Sequence, residues 1–173
     1  EDLSRGLGDV YKRQLLESAD IVIVIGGASV GDRDFAKPMF APHGLALVFD
    51  RLAIKPGKPV WLGRAGARLV LGLPGNPSSA MVTARLFLVP ILERLQGGEG
   101  YHAWRDMPLA TPLPATGDRE TFARAHWGQA GLEVLGNQDS GVQGGLARAD
   151  WLIRCPSGQA GLEAGNTVSA LLF

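Results

Sequence analysis

A turn with the sequence PGNP, at residues 74–77, constrains the fold of this chain more than any other segment. Pro74 and Pro77 fix their own φ angles, whereas Gly75 and Asn76 are residue types that readily adopt positive φ. The residues that follow, SSAMVTARLFLVPILERL, repeat apolar side chains with a helical period. The sequence therefore predicts a rigid turn that leads into a long helix beginning at Pro77 or Ser78. The free N–H groups at such a helix start favour anion binding.

Two further segments combine a turn with glycines or lysines. Residues 21–34 read IVIVIGGASVGDRD, a β-branched run typical of a buried parallel strand, which ends at a double glycine. Residues 54–59 read IKPGKP, in which Lys55 and Lys58 flank a Pro-Gly turn and can converge on one anion. Together with the PGNP turn, these segments predict a pocket for a polyphosphate or an oxyanion.

The composition excludes several classes of function. With 17 basic and 17 acidic residues the formal net charge is zero, which argues against a nucleic-acid partner. No apolar run is long enough to span a membrane, so we expect a soluble globular protein without a membrane partner. Cys155 is the only cysteine, which excludes an internal disulfide and favours a reducing cytoplasm. We expect Cys155 to have a packing role and to be a poor nucleophile.

Residues 1–14 are interpreted as foreign to the protein. The segment DVYKRQ, at residues 9–14, back-translates to a sequence resembling a transposase adapter used in sequencing libraries. The residues before it lack apolar periodicity. We therefore predict that residues 1–14 are a non-native artefact and that the chain is a fragment without an upstream half.

The order of the predicted elements indicates two domains. In residues 15–97, strands alternate with helices, which is typical of an α/β domain with a mostly parallel sheet. Within it, residues 60–63 and 68–71 form a predicted strand pair, and Pro90 is expected to interrupt the long helix. The segment QGGEGY, at residues 96–101, marks a change of composition. Residues 98–173 contain short strand-like runs, which fit a small antiparallel β-barrel or sandwich.

Four segments, GGASVGDRD, RLAIKPGKP, GLPGNPSSA and SGVQGGLARADWLI, resemble in order and spacing the molybdopterin molybdenumtransferase family, which includes the E domain of gephyrin. The resemblance covers residues 15–173. It implies a three-layer molybdopterin-binding α/β domain, truncated at its start, followed by a small C-terminal β-barrel domain. It also implies an enzyme of molybdenum cofactor biosynthesis, which inserts molybdate into adenylylated molybdopterin and releases AMP in a Mg²⁺-dependent step. As a fragment, the chain is expected to be inactive alone.

The resemblance further implies the residues of the site. Lys55, Lys58 and Ser78 would bind molybdate, and Arg124 and Ser140 would lie near the same anion. Two turns would bind the pterin or its phosphates. Their residues are Gly26, Gly27, Ser29 and Gly31 after the first strand, and Pro74, Gly75, Asn76 and Pro77 in the PGNP turn. Asp34 is the candidate Mg²⁺ ligand, and an ordinary carboxylate in the first turn of a helix is an equally weighted alternative. The family's active site lies between the two subunits of a homodimer, which would place Arg124 and Ser140 opposite the lysines of the other subunit.

Two other functions stay open. The chain can be a non-catalytic scaffold module that keeps a pterin site for affinity, or another enzyme with the molybdopterin-binding fold, such as a competence-damage-type amide hydrolase. The intact KPGK and PGNP segments favour a chain that retains the enzyme's chemistry. Amide hydrolases of the competence-damage type lack the PGNP segment. For the individual side chains, the alternatives are exposed lysines in a structural turn and a solvated Arg124 and Ser140.

We predict that deletion of residues 1–14 leaves the melting temperature unchanged, because a non-native segment contributes no packing. Thermal unfolding of the chain with and without the segment measures this. A clear fall in melting temperature after the deletion would show that the segment belongs to the fold.

Overall fold

The computed structural model of the chain describes residues 2–26, 36–136, 138 and 143–173. The helices are α1 (Asp2–Ser18), α2 (Ala36–Phe40), α3 (Pro77–Thr83), α4 (Val89–Leu95) and α5 (Gln143–Leu146). The strands are β1 (Ile21–Ile25), β2 (Leu45–Phe49), β3 (Ile54–Lys55), β4 (Trp61–Ala65), β5 (Arg68–Leu73), β6 (Arg105–Pro108), β7 (Glu120–Trp127), β8 (Leu132–Val134), β9 (Trp151–Cys155) and β10 (Thr167–Leu172). Among the described helices, none is both long enough and apolar enough to cross a membrane.

The chain divides into two compact units. The first consists of Glu1–Leu52 with Pro59–Gly75, and the second of Ala53–Lys58 with Asn76–Phe173. The KPGK turn and the helices α3 and α4 therefore group with the C-terminal sheet. This spatial division differs from the boundary between residues 97 and 98 that the sequence predicts, and that sequence boundary stays a prediction.

The first unit contains a four-stranded sheet with the strand order β1-β5-β4-β2, and its α/β class is as predicted. β1 and β5 are parallel, whereas β5 with β4 and β4 with β2 are antiparallel. The predicted mostly parallel sheet is therefore wrong for the described strands. The reason is local, because β4 and β5 are joined by a tight hairpin at Gly66, which has φ 61°, and a connection this short can only join antiparallel strands.

β1 lies at an edge of this sheet. Val22 is buried in a core cluster with Phe40 and Trp61, whereas Ile23 and Ile25 are 41% and 68% exposed. Successive side chains of a strand point to opposite faces, so one face of β1 is packed and the other is open. The parallel pairing predicted for this strand is confirmed, and its predicted burial holds for Val22 but is wrong for Ile23 and Ile25.

Trp61 fills the inner face of the first unit where it crosses β5. Its side chain is fully buried, and it lies opposite Gly72 in the register of β4 and β5. A Cβ atom added to Gly72 would overlap the indole nitrogen of Trp61. The core therefore accommodates this tryptophan only because residue 72 has no side chain.

The second unit contains a six-stranded sheet with the order β3-β7-β9-β10-β6, in which β8 also pairs with β7. Its pairs are antiparallel except for β3 with β7. The small C-terminal β domain is confirmed. Its closure into a barrel is not, because β6 and β8 form no ladder with each other in the described residues, and only an isolated bridge joins Leu109, just after β6, to Leu132. The buried core of this sheet consists of Leu109, Leu113, Ala123, Ala125, Leu132, Ile153, Cys155, Val168 and Ala170.

The predicted long helix is present and begins at Pro77. It runs through α3, a π-helical segment at Ala84–Leu88, and α4. Pro90 lies in the first turn of α4 and has no N–H to donate to the preceding turn. The wider π-helical turn just before it accommodates this missing donor, so the interruption predicted at Pro90 takes the form of a π turn.

The segment predicted to be an artefact lies within α1. Val10 and Tyr11 are exposed, whereas Leu16, which follows the segment, packs against the core of the first unit. This distribution agrees with a minor packing role for residues 10–14. The non-native origin of residues 1–14 stays a prediction.

We expect Gly72→Ala to lower the free energy of unfolding by about 2 kcal/mol or more, because the new methyl group must displace the buried indole of Trp61. Gly117→Ala is the matched control, since a Cβ atom there meets no atom within 4 Å, and its effect should stay within about 0.5 kcal/mol. Urea unfolding of both variants measures the difference. Equal stabilities would mean that Trp61 moves away without cost.

Candidate functional site

The PGNP turn leads directly into α3. Asn76 precedes the helix with φ −75° and ψ 124°, and its carbonyl oxygen accepts a hydrogen bond from the N–H of Ala80 at 2.8 Å. Pro77 is the first helical residue, a position where the missing N–H has no intrahelical partner to lose. Gly75 and Asn76 are residue types that readily adopt positive φ, but neither does so here.

Gly75 serves instead to let two backbone segments of the first unit approach each other. A Cβ atom on Gly75 would lie 3.3 Å from the Cα of Gly26, a distance that few side chains tolerate. Gly26 has φ 84°, and its N–H donates to the carbonyl oxygen of Leu73 at 3.0 Å. The structure therefore brings together one glycine from each of the two predicted binding turns. Other residues of the first turn lie outside the described residues, namely Gly27, Ser29 and Gly31.

A fully buried arginine lies against the start of α3 in the second unit. Arg124 on β7 and Ser78 in the first turn of α3 are both fully buried. The Nη1 of Arg124 donates to the Oγ of Ser78 at 2.8 Å. A guanidinium keeps its positive charge when it is buried, so a permanent charge stands beside a hydroxyl group at a helix start. Both residues belong to one chain, and the predicted placement of Arg124 opposite the lysines of a second subunit stays a prediction.

Gln138 holds Arg124 through its side-chain amide. The Oε1 of Gln138 accepts from the backbone N–H of Arg124 at 2.9 Å and from its Nε at 3.4 Å. The Nε2 of Gln138 donates to the carbonyl oxygens of Arg124 and Leu135, at 2.9 and 2.6 Å. No local pattern indicates this role, because it depends on the position of Gln138 relative to β7. Ser140, the neighbouring predicted ligand, lies outside the described residues.

The turn that carries the two predicted lysine ligands packs on α3 in the same unit. Gly57, between them, is buried with φ 110°, and a Cβ atom on it would overlap the Cγ2 of Thr83. Thr83 is itself fully buried, and its hydroxyl group donates to the carbonyl oxygen of Ser79 at 2.7 Å. Lys55 and Lys58 are exposed on either side of this contact. The backbone of the lysine turn is therefore fixed against the helix that carries Ser78.

A cavity of about 430 Å³ opens beside Lys55 in the second unit. Its wall is formed by the loop at residues 111–119 and by side chains of β7 and the segment after β8, among them Phe122 and Gln138. The volume lies within the range of small-molecule sites, and the wall is largely apolar. Lys55 thus borders a space that is larger than an oxyanion needs.

Cys155 lines the same cavity but is buried in the core of the C-terminal sheet. Burial raises the pKa of its thiol to about 11, so the group is neutral at pH 7. The packing role predicted for Cys155 is confirmed.

The side chain of Asn76 offers a hydrogen-bond acceptor at the helix start. Its Oδ1 is buried and has no hydrogen-bond partner among the described residues. A buried acceptor without a donor is unfavourable by about 1–3 kcal/mol. A ligand that brings an N–H group to this point would therefore gain affinity.

The part of the chain that the structure describes contains no cluster of side chains that could hold a metal ion by themselves. No group of three His, Cys, Asp or Glu side chains comes together there. Mg²⁺ usually binds through one or two carboxylates together with waters and substrate phosphates, so it does not need such a cluster. The predicted Mg²⁺ ligand, Asp34, lies outside the described residues and stays a prediction.

Comparison with protein families gives two matches. Residues 2–94 match the family described as "Probable molybdopterin binding domain". Residues 106–173 match the family described as "MoeA C-terminal region (domain IV)".

Curated relatives carry one common name. The chain is 31% identical over 166 residues to the "Molybdopterin molybdenumtransferase" of Bacillus subtilis. The matched region covers 93% of this chain and 39% of that protein. A protein of the same name from Staphylococcus epidermidis is 30% identical over 173 residues, covering 95% and 40%. The chain therefore spans about 40% of the length of these relatives.

Solved structures agree in fold. The molybdopterin biosynthesis MoeA protein of Pyrococcus horikosii superposes with a TM-score of 0.78 at 24% identity, over 95% of this chain and 40% of that one. A molybdenum cofactor biosynthesis protein of Pyrococcus furiosus superposes with a TM-score of 0.72 at 22% identity, over all of this chain and 55% of that one.

We expect Ser78→Ala to lower the free energy of unfolding by about 1–3 kcal/mol, because it removes an acceptor from a buried guanidinium. Ser157→Ala is the control, since that exposed hydroxyl makes only a 3.4 Å contact with the carbonyl oxygen of Gly117. Its effect should be below about 0.5 kcal/mol. Unfolding of both variants in guanidinium chloride measures the difference. Equal free energies of unfolding would show that the burial of Arg124 does not depend on Ser78.

Proposed function

Since the chain belongs to the family of probable molybdopterin binding domains, we propose that it carries the molybdate-binding part of a molybdopterin molybdenumtransferase. The reaction of such an enzyme inserts molybdate into adenylylated molybdopterin and releases AMP, a step of molybdenum cofactor biosynthesis. One observation carries the proposal, namely the buried guanidinium of Arg124 at 2.8 Å from the hydroxyl group of Ser78 at the start of α3.

Molybdate is a tetrahedral dianion, so its site needs positive charge and hydrogen-bond donors. Arg124 supplies a fixed charge in a buried place, where the lower dielectric strengthens its attraction for an anion. Ser78 accepts from Arg124 with its oxygen, which leaves its own O–H as a donor for the anion. Lys55 and Lys58 are exposed point charges on a backbone turn that rests on the same helix.

These four side chains act through charge and position. Fixed donors lower the free energy of a charged transition state without reorganising during the reaction. The lysines, which have long flexible side chains, can follow the anion as it approaches the dithiolene sulfurs of the pterin. A protein nucleophile is not needed in this reaction, and the neutral, buried thiol of Cys155 is unsuited to that role. Ser140 stays a proposed fifth ligand of the anion.

The organic part of the substrate would contact the helix start. A pterin ring carries N–H donors, and the buried Oδ1 of Asn76 is an acceptor that needs one. The other proposed contacts for the pterin or its phosphates are Gly26, Gly27, Ser29, Gly31, Pro74, Gly75 and Pro77. Dependence on Mg²⁺ with Asp34 as ligand and a homodimer of the complete protein are part of the proposal on the strength of the family resemblance. A cytoplasmic location is part of it because Cys155 is the only cysteine.

The alternatives differ in what they bind. A scaffold module would bind the pterin and not molybdate, whereas an insertase needs both. The match of residues 106–173 to the MoeA C-terminal region weighs against an amide hydrolase that shares only the pterin-binding fold. Binding of molybdate is therefore the property that separates the proposals.

We expect Lys55→Ala and Lys58→Ala each to weaken molybdate binding by about tenfold or more, since each removes a charge-assisted contact of roughly 1.5–3 kcal/mol. Calorimetric titration of the chain with molybdate measures the affinities. Arg94→Ala is the control, because Arg94 is an exposed cation of the same unit at the end of α4. Its affinity for molybdate should equal that of the unaltered chain.

Thermal unfolding accompanies the titrations, and the melting temperatures of both lysine variants should stay unchanged because both side chains are exposed. Full affinity in both variants would refute the assignment of the anion site. Pterin binding by a chain that does not bind molybdate would favour the scaffold. The same substitutions in a complete protein, tested for rescue of a strain that cannot insert molybdenum, examine the reaction itself.

A further inference from the structure

We infer that Gln138 is a positioning residue, which fixes the guanidinium of Arg124 in the orientation that reaches Ser78. The importance of this orientation for molybdate rests on the proposed function, whereas the positioning itself rests on the geometry around Gln138. Its amide group makes hydrogen bonds with both its oxygen and its nitrogen, and three of these four bonds go to Arg124.

One oxygen atom links the backbone and the side chain of the same arginine. The Oε1 of Gln138 accepts from the backbone N–H of Arg124 and from its Nε. An arginine side chain has several rotatable bonds, and tying its Nε to its own backbone N–H restricts most of them. The remaining direction of the guanidinium then carries Nη1 to the Oγ of Ser78.

The amide also continues the sheet beyond the end of β8. The ladder between β7 and β8 ends at the pair of Ala125 and Val134. Arg124, the residue before Ala125 on β7, lies just beyond this end. There the carbonyl oxygen of Arg124 accepts from the N–H of Leu135 at 3.0 Å and from the Nε2 of Gln138 at 2.9 Å. Gln138 thereby replaces a strand neighbour and is anchored by the backbone of β7.

A neutral amide suits this position better than a carboxylate. A glutamate at residue 138 would keep acceptors for Arg124, but its charge would pair with the guanidinium and compete with an incoming anion. Its second oxygen would also face the carbonyl oxygens of Arg124 and Leu135, which only a donor can satisfy. Glutamine orients the guanidinium without adding a negative charge of its own.

The test follows the Nε–H of Arg124 by nuclear magnetic resonance, with the signal assigned by its loss in Arg124→Lys. Gln138→Ala should accelerate hydrogen exchange at this Nε–H by about tenfold or more and weaken molybdate binding by a similar factor. Gln159→Ala is the matched control, since it is a half-buried glutamine of the same unit outside the contacts of Arg124, and it should change neither quantity.

Gln138→Glu separates orientation from charge and also serves if Gln138→Ala does not fold. It should keep the slow exchange of the Nε–H and still lose about tenfold in molybdate affinity, because the carboxylate offsets the charge of Arg124. A residue that only stabilised the fold would not give this divided result.

The outcomes separate the two proposals. Unchanged exchange in Gln138→Ala overturns the positioning role, and accelerated exchange with full molybdate affinity overturns its importance for the anion. If the unaltered chain does not bind molybdate while Gln138→Ala accelerates the exchange, the proposed function fails and the positioning role stands.

Discussion

The buried contact between Arg124 and Ser78 is the interaction on which the candidate site depends. A guanidinium withdrawn from water is unfavourable by several kcal/mol unless its donors find acceptors. In the second unit this requirement ties β7, which carries the arginine, to the first turn of α3, which carries the hydroxyl group. It gives a physical reason why the helix after the PGNP turn groups with the C-terminal sheet and not with the strand that precedes it in the sequence.

The same helix also fixes the lysine turn, through a contact that needs a glycine. Gly57 is buried with positive φ against Thr83, so any side chain there would push the turn away from α3. The backbone between Lys55 and Lys58 is therefore rigid, while their exposed side chains are free to extend. In the proposed anion site, one guanidinium of fixed orientation would act together with two mobile ammonium groups, which would suit the capture and transfer of an anion.

Local patterns predicted the elements of the fold well, and the family resemblance read from four short segments is confirmed. The helix start at Pro77 follows from a turn and a helical period, both of which act within a few residues. The prediction of a mostly parallel sheet is wrong because the short turn after β4 permits only an antiparallel pair, a local constraint that overrides the general α/β pattern. The exposure of Ile23 and Ile25 and the close approach of Gly75 to Gly26 depend on neighbours distant in sequence, which no local pattern contains.

The candidate site likewise contains residues that the sequence predicted and one that it did not. The sequence motif around Lys55 and the family resemblance for Ser78 and Arg124 made these residues candidates, because charge and hydrogen-bond donors are properties of single residues. The sequence did not predict a role for Gln138, because a neutral amide has no charge that marks it. Its role depends on its contacts with the backbone N–H and the Nε of Arg124, which only the structure shows. Ser78 and Gln138 are both uncharged, so neither of these two contacts adds a negative charge beside the guanidinium. Carboxylates in these two places would order the arginine equally well, but each would lower its attraction for an anion.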